Sequence, residues 1–393
     1  MKAKSIAFLS IGMIIIVSIN MAAVINVPLN YSKIQWAINA ASIGDTILVS
    51  AGTYYENINY HGKSIVVKAG DSPDLVVING SQPSSSDSGS VVIFISGEVS
   101  SSILDGFTIT GGTGTITDIG KRGGGIFCAN AKPTIKNCTI KGNQSECGGG
   151  IGFWHNSSYQ YKDSTLVKNC TVVNNTATND YGGGIWVGYS TVLINSCTIV
   201  GNTATNGSNL SFSSFGSGSH IISTIIWFGS IYTMGENYNY CDIQGGWPSG
   251  TGNINADPLF CNSIVGDYHI AANSPCLGTG QGGTTIGALS QGCGVIVDVE
   301  NQLVLPTQYI LLENYPNPFN PSTTIKISIP LASFVTLKVF DIRGIELKRL
   351  ISGHLNAGEH SYIWNAKDYS SGTYFVKLQT DTYSETHAML LLK

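Results

Sequence analysis

Three stretches decide the reading of this chain: GGGIFCANAKPTIKNCTIKGN at 123–143, GGGIGFWHNSSYQYKDSTLVKNCTVVNN at 148–175 and GGGIWVGYSTVLINSCTIVGN at 182–202. Each opens on Gly-Gly-Gly-Ile, runs through short apolar pieces to an x-Cys-Thr-Ile/Val phrase, and closes on Asn at Asn143, Asn175 and Asn202. The first two triplets start 25 residues apart and the next two 34, the excess lying in the polar and aromatic segment Trp154 to Asp163. A fixed core with an insertion at one place is the mark of a solenoid. The apolar pieces are short, β-branched and bounded by Gly or Asn, and helical spacing is absent. Several such strands per turn, each stacked in parallel on its equivalent about 4.8 Å away, predict a parallel β-helix. Ile126, Ile151 and Ile185 then form one inward column, and Cys138, Cys170 and Cys197 another. The closing Asn residues suit turns with left-handed backbone, and their amides can form a ladder along the axis.

Working outward, similar short runs occur at Ser64–Val67, Val91–Ile95 and Ile103–Ile109, and again at Ile221–Trp227 and Tyr240–Ile243. A solenoid needs caps. Ile34–Ala41 has helical apolar spacing and is expected to close the N-terminal end, and Asn255 through Cys276 the C-terminal end. After Gly294 the repetition stops. From Leu311 the pattern changes to longer alternating strands, at Thr324–Ile329, Phe334–Phe340, His360–Trp364, Thr373–Leu378 and His387–Leu392, which predict a small antiparallel β-sandwich. The fold class is therefore all-β: a right-handed parallel β-helix solenoid followed by the sandwich. Lys2 and Lys4, the apolar run Ile6–Val17 and the small pair Ala22-Ala23 have the layout of a signal peptide. The expected divisions are 1–23 signal peptide, 24–297 β-helix, 298–310 linker and 311–393 tail, with no transmembrane segment in the mature chain.

Composition removes several partners. Only 11% of the 393 residues are charged, the formal net charge is -4, and 47 are Gly. Arg122, Arg343 and Arg349 are the only arginines, too few for the basic face that nucleic acid requires. Of nine cysteines, the three in the repeated phrase are expected to be buried and free. Cys261, Cys276 and Cys293 leave room for a bridge among them. No C-x-x-C pair points to zinc.

The opening Ile34-Gln35-x-Ala37-Ile38-x-Ala40-Ala41, followed by Gly44-Asp45-Thr46 and Ala51-Gly52-Thr53-Tyr54-Tyr55-Glu56-Asn57-Ile58, resembles the start of the right-handed parallel β-helix proteins of the pectate-lyase-like superfamily. The Gly-triplet repeats and the closing Asp257-Pro258-Leu259-Phe260, Asp267-Tyr268-His269 and Ser274-Pro275-Cys276 are similar to a secreted bacterial subgroup of it. In the tail, Glu313-Asn314-Tyr315-Pro316-Asn317-Pro318-Phe319-Asn320-Pro321, Val339-Phe340-Asp341-x-x-Gly344, Gly358-x-His360-x-x-x-Trp364, Ser371-Gly372-x-Tyr374 and Lys393 resemble the C-terminal sorting domain of the type IX secretion system. That second resemblance implies the type IX machinery as partner, and a secreted or cell-surface location in a diderm bacterium of the Bacteroidetes-like group. Trp364 and Tyr374 are expected in the sandwich core.

The resemblance to the superfamily does not supply a catalytic set. Its lyases hold calcium on clustered carboxylates with an Arg or Lys as base, and its hydrolases set carboxylates across the bond. The helix here has no Asp-Asp pair and no Asn-Thr-Asp run. The concentrated chemistry lies two places before each triplet, at Lys121, Glu146 and Asp180, with Arg122 beside the first. Stacked carboxylates can recruit a cation, calcium being the candidate, and no cofactor is established. Beside them Phe127, Trp154, His155, Trp186 and Tyr189 are candidate sugar-stacking groups if they face outward. Solvated turn charges and buried core aromatics are the plain alternatives. The expected function is polysaccharide binding without established catalysis. The alternatives are a lyase or glycoside hydrolase acting on acidic or plant-type polysaccharide, and a structural or adhesin-like stalk.

Overall fold

The computed structural model describes residues 22–296 and 309–393, apart from 84, 86, 156–163, 180, 214–217, 234, 312–313, 331–332, 356–357 and 381–382. The expected signal peptide and linker fall almost wholly outside the described residues. The chain divides into two compact units, one ending at Ile296 and the other beginning at Val297.

The first unit is a parallel β-helix. Three parallel sheets of nine, eight and seven strands run along it, and successive strands in each come from successive turns of chain. One turn contributes Thr134–Lys136 to the first sheet, Thr139–Lys141 to the second and Ile151–Trp154 to the third. The register is regular: Ile126 pairs with Ile151 and that with Ile185, while Thr139 pairs with Thr171 and that with Thr198. Alternation sends Ile126, Cys128, Ile151, Phe153, Ile185 and Val187 into one continuous core with Cys138, Cys170 and Cys197. All three cysteines are free and buried, as expected.

Sterics explain the glycine triplets. The first glycine of each has positive φ, 58°, 67° and 66° at Gly123, Gly148 and Gly182. At the others there is no room: a Cβ on Gly149 would lie 2.4 Å from the Thr176 carbonyl oxygen, and one on Gly150 2.6 Å from that of Gly184. The triplets themselves hydrogen-bond turn to turn, Gly149 N–H to Gly182 and Gly150 N–H to Gly183.

The asparagine expectation divides between two sets of residues. The ladder is real: the Asn143 Nδ2 donates to Asn175 Oδ1, Asn175 Nδ2 to Asn202 Oδ1 and Asn202 Nδ2 to Asn209 Oδ1, each at 3.0 Å. The left-handed backbone belongs instead to the residue before each of the first three ladder amides, Gly142, Asn174 and Gly201, and to the corner residues Asn137, Asn169 and Ser196. Reversing the chain just ahead of the amide lets the amide itself point inward.

The cap Ile34–Ala40 is helical and buries Ile34, Ala37 and Ile38. Distant residues satisfy both its ends. Glu56 accepts from the Ile34 and Gln35 N–H groups at 2.9 and 3.0 Å, and the Lys63 Nζ donates to the Ile38, Asn39 and Ala41 carbonyls at 2.7–2.9 Å. The C-terminal closure differs from the simple end-plug expected. Residues 254–289 also lie on the outer face of the second sheet, where Tyr268, Ile270, Cys276 and Ile286 bury Val173, Val200, Ile225 and Trp227. Those four outward side chains are apolar where a solvated sheet would be polar, so the segment must cover them. Cys261 bonds Cys293, and Cys276 stays free.

The second unit pairs a three-stranded sheet with a four-stranded one, every ladder antiparallel. It contains the five expected strands and two more, the short Ile310–Leu311 and Glu346–Leu355, whose mixed pattern hid it. Trp364 and Tyr374 lie in its core.

Candidate functional face

The outward positions of the third sheet carry the expected aromatics in two columns. Phe127, Gly152 and Trp186 are in register in one, and Ala129, Trp154 and Gly188 in the other. Each tryptophan is thus paired with a glycine. At Gly188 the rings fill the space the glycine leaves, a Cβ there lying 2.5 Å from Trp186 and 2.9 Å from Trp154, whereas at Gly152 the Gly123 backbone nitrogen would lie 2.7 Å away. Trp154 and Trp186 stack with centroids 5.8 Å apart and planes 11° from parallel, and Tyr189 meets Trp154 edge-on at 5.0 Å. None of these rings belongs to the solenoid core.

Exposure differs along the face. Phe127 and Trp186 are buried, whereas Trp154 is half-buried. Trp186 is covered by Arg122, whose guanidinium carbon lies 5.1 Å from the ring centre. Arg122 is itself buried and held by the Lys121 and Ile119 carbonyls, with Nε lacking a hydrogen-bond partner among the described residues. A cation fixed over an indole is favourable in its own right, by about 0.5–2 kcal/mol. His155 is buried, with Nδ1 2.7 Å from Asn130 Oδ1, and burial together with Lys132 lowers its pKa. That makes His155 a neutral, structured group at pH 7.

Backbone pairing brings Lys121 and Glu146 to equivalent places on neighbouring turns: Cys147 N–H donates to the Lys121 carbonyl, and Arg122 bridges Cys147. No ion pair joins the two side chains, and both are half-buried. Asp180 lies outside the described residues. Among the described residues no three His, Cys, Asp or Glu side chains converge to hold a metal ion. The sequence pointed to the aromatics, but Asn130 escaped it, because one amide inside an irregular turn carries no periodic signal.

Residues 313–391 match the model of the secretion system C-terminal sorting domain. The tail is that sorting domain. It marks the protein as secreted or held at the cell surface, in the manner typical of Bacteroidetes, and implies an encounter with the secretion machinery. Among curated proteins no sequence matches the chain. Among solved structures, the chain is similar to a pectin methylesterase mutant in complex with a hexasaccharide, at 13% identity over 61% of this chain and 67% of that one, with a TM-score of 0.32. No helix among the described residues is long and apolar enough to cross a membrane.

Proposed function

We propose that the protein is an exported β-helix that holds polysaccharide against the outer face of its third sheet, without chemistry of its own, while the sorting domain supplies the address. The observation carrying this reading is the half-exposed Trp154, stacked on Trp186 and backed by Arg122. A ring already immobilised by a second ring and a fixed cation loses little side-chain entropy when a sugar ring stacks on it. Arg122, itself buried, braces Trp186 rather than reaching a ligand, while the half-buried Lys121 next to it in sequence suits the carboxylate of an acidic sugar.

Binding without turnover is tested by incubating the full chain with acidic and plant-type polysaccharides, then measuring retention together with new reducing ends and unsaturated products. Retention with neither product supports the reading. Product formation that scales with protein would replace it with a lyase or hydrolase.

A further inference from the structure

A cleft of about 850 Å³ lies on a different face, over the second sheet, between the turn Ser72–Asp74 and the overhanging segment Ser263–His269. We infer that this cleft binds a neutral, hydroxyl-rich ligand, namely a short saccharide. Its floor follows from the register. Thr139, Thr171 and Thr198 form one outward column on successive turns, about 4.8 Å apart. The C-terminal segment covers the last of these, and the Ala288 N–H donates to Thr198 Oγ1 at 3.0 Å. Thr171 and Thr139, on the two preceding turns, line the cleft, Thr171 at its buried floor and Thr139 half-buried.

Four polar side chains lining the cleft are unspent. The Thr139 and Thr171 hydroxyls, the Lys141 ammonium and the Asp74 carboxylate make no hydrogen bond or ion pair with the described residues. The overhang, by contrast, is tied down. The Cys261–Cys293 bond anchors it, Gly266 at φ 85° closes the turn Ser263–Val265, and His269 Nδ1 lies 2.7 Å from Asp267 Oδ1. Ile264 and Val265, 96% and 76% exposed, are thereby held out at the mouth. One ammonium, one unpaired carboxylate, a row of hydroxyls and apolar side chains match a pyranose, which offers hydroxyls at its edge and C–H groups on its face. A polyanion or polycation would meet a charge of its own sign. This inference does not depend on the tryptophan face.

The test is calorimetric titration of the full chain with xylo-, manno- and cello-oligosaccharides. At least one should bind, and Asp74→Ala and Lys141→Ala should each weaken it about tenfold, the loss of one charged hydrogen bond. Both side chains are exposed, so unchanged circular dichroism should accompany the loss. Trp154→Ala should leave this binding as it was. The inference is overturned if no oligosaccharide binds, or if binding survives both cleft substitutions. Loss with Trp154→Ala alone would place the sugar on the third sheet and also overturn it.

Discussion

At the residue scale the solenoid depends on groups that cannot be exchanged. Asn175 is fully buried; its Nδ2 donates to the Ile140 and Val173 carbonyls and to Asn202, and its Oδ1 accepts from the Asn143 N–H and Nδ2. Asn175→Ala strands several of these at once and should cost about 3 kcal/mol or more, read from chemical denaturation. Glu146→Ala, half-exposed and outside any ion pair among the described residues, should stay within about 0.5 kcal/mol. A stacked indole pair should also give an exciton couplet in circular dichroism. Gly188→Ala should abolish it, because the new Cβ occupies the place where the two rings meet. A couplet that persists would show that the rings stack elsewhere. The glycine triplets and the asparagine ladder were legible in the sequence because each recurs once per turn. The split between the amide that bonds and the preceding residue that turns was not, since both lie within two positions and only backbone angles separate them.

At the scale of elements, the capping helix and the C-terminal cover each depend on long-range polar contacts. The helix has seven residues, too few to persist alone, and Glu56 and Lys63 hold its ends from the following turn of chain. Glu56→Ala should loosen this cap by about 1–3 kcal/mol, seen as faster hydrogen exchange over 34–41 with the central turns unchanged. The sequence displayed the helix through its apolar spacing, yet nothing local linked Glu56 to Ile34. In the C-terminal cover, Cys276 Sγ donates to Asp242 Oδ2 at 3.1 Å and the Ala256 N–H to Oδ1 at 3.2 Å. Both side chains are buried, and burial pushes the Asp242 pKa up to about 6. The folded state therefore holds this proton more tightly than the unfolded one, whose value is near 3.8. Stability from this group is greatest below about pH 4, declines as pH rises, and is lost above about pH 6. Relative to the parent, Asp242→Asn should gain about 2–3 kcal/mol between pH 4 and pH 7. Parallel curves for the two proteins would show that Asp242 does not titrate in this way. The cover's position over the second sheet was hidden in the sequence, because outward Val173, Val200 and Trp227 read equally well as core.

At the scale of the whole molecule, the sorting domain and the proposed binding face belong to separate units. Removing 313–391 should retain the chain inside a host that possesses the secretion system, while the cooperative unfolding of the β-helix persists in the purified fragment. Normal export of the truncated chain would contradict the role of the tail. The β-helix and the sorting domain were both readable from sequence, one from repetition and the other from a motif-rich tail. The aromatic face proposed to bind was readable only as a set of aromatic residues, because their outward direction depends on which residue of each triplet starts the strand. The most direct test of the account is a glycan array probed with the full chain and with Trp154→Ala. The account predicts signal on acidic polysaccharides for the parent and its loss, by about tenfold or more, for the variant, with unchanged melting. Equal signal from the two proteins, or none from the parent, would contradict it.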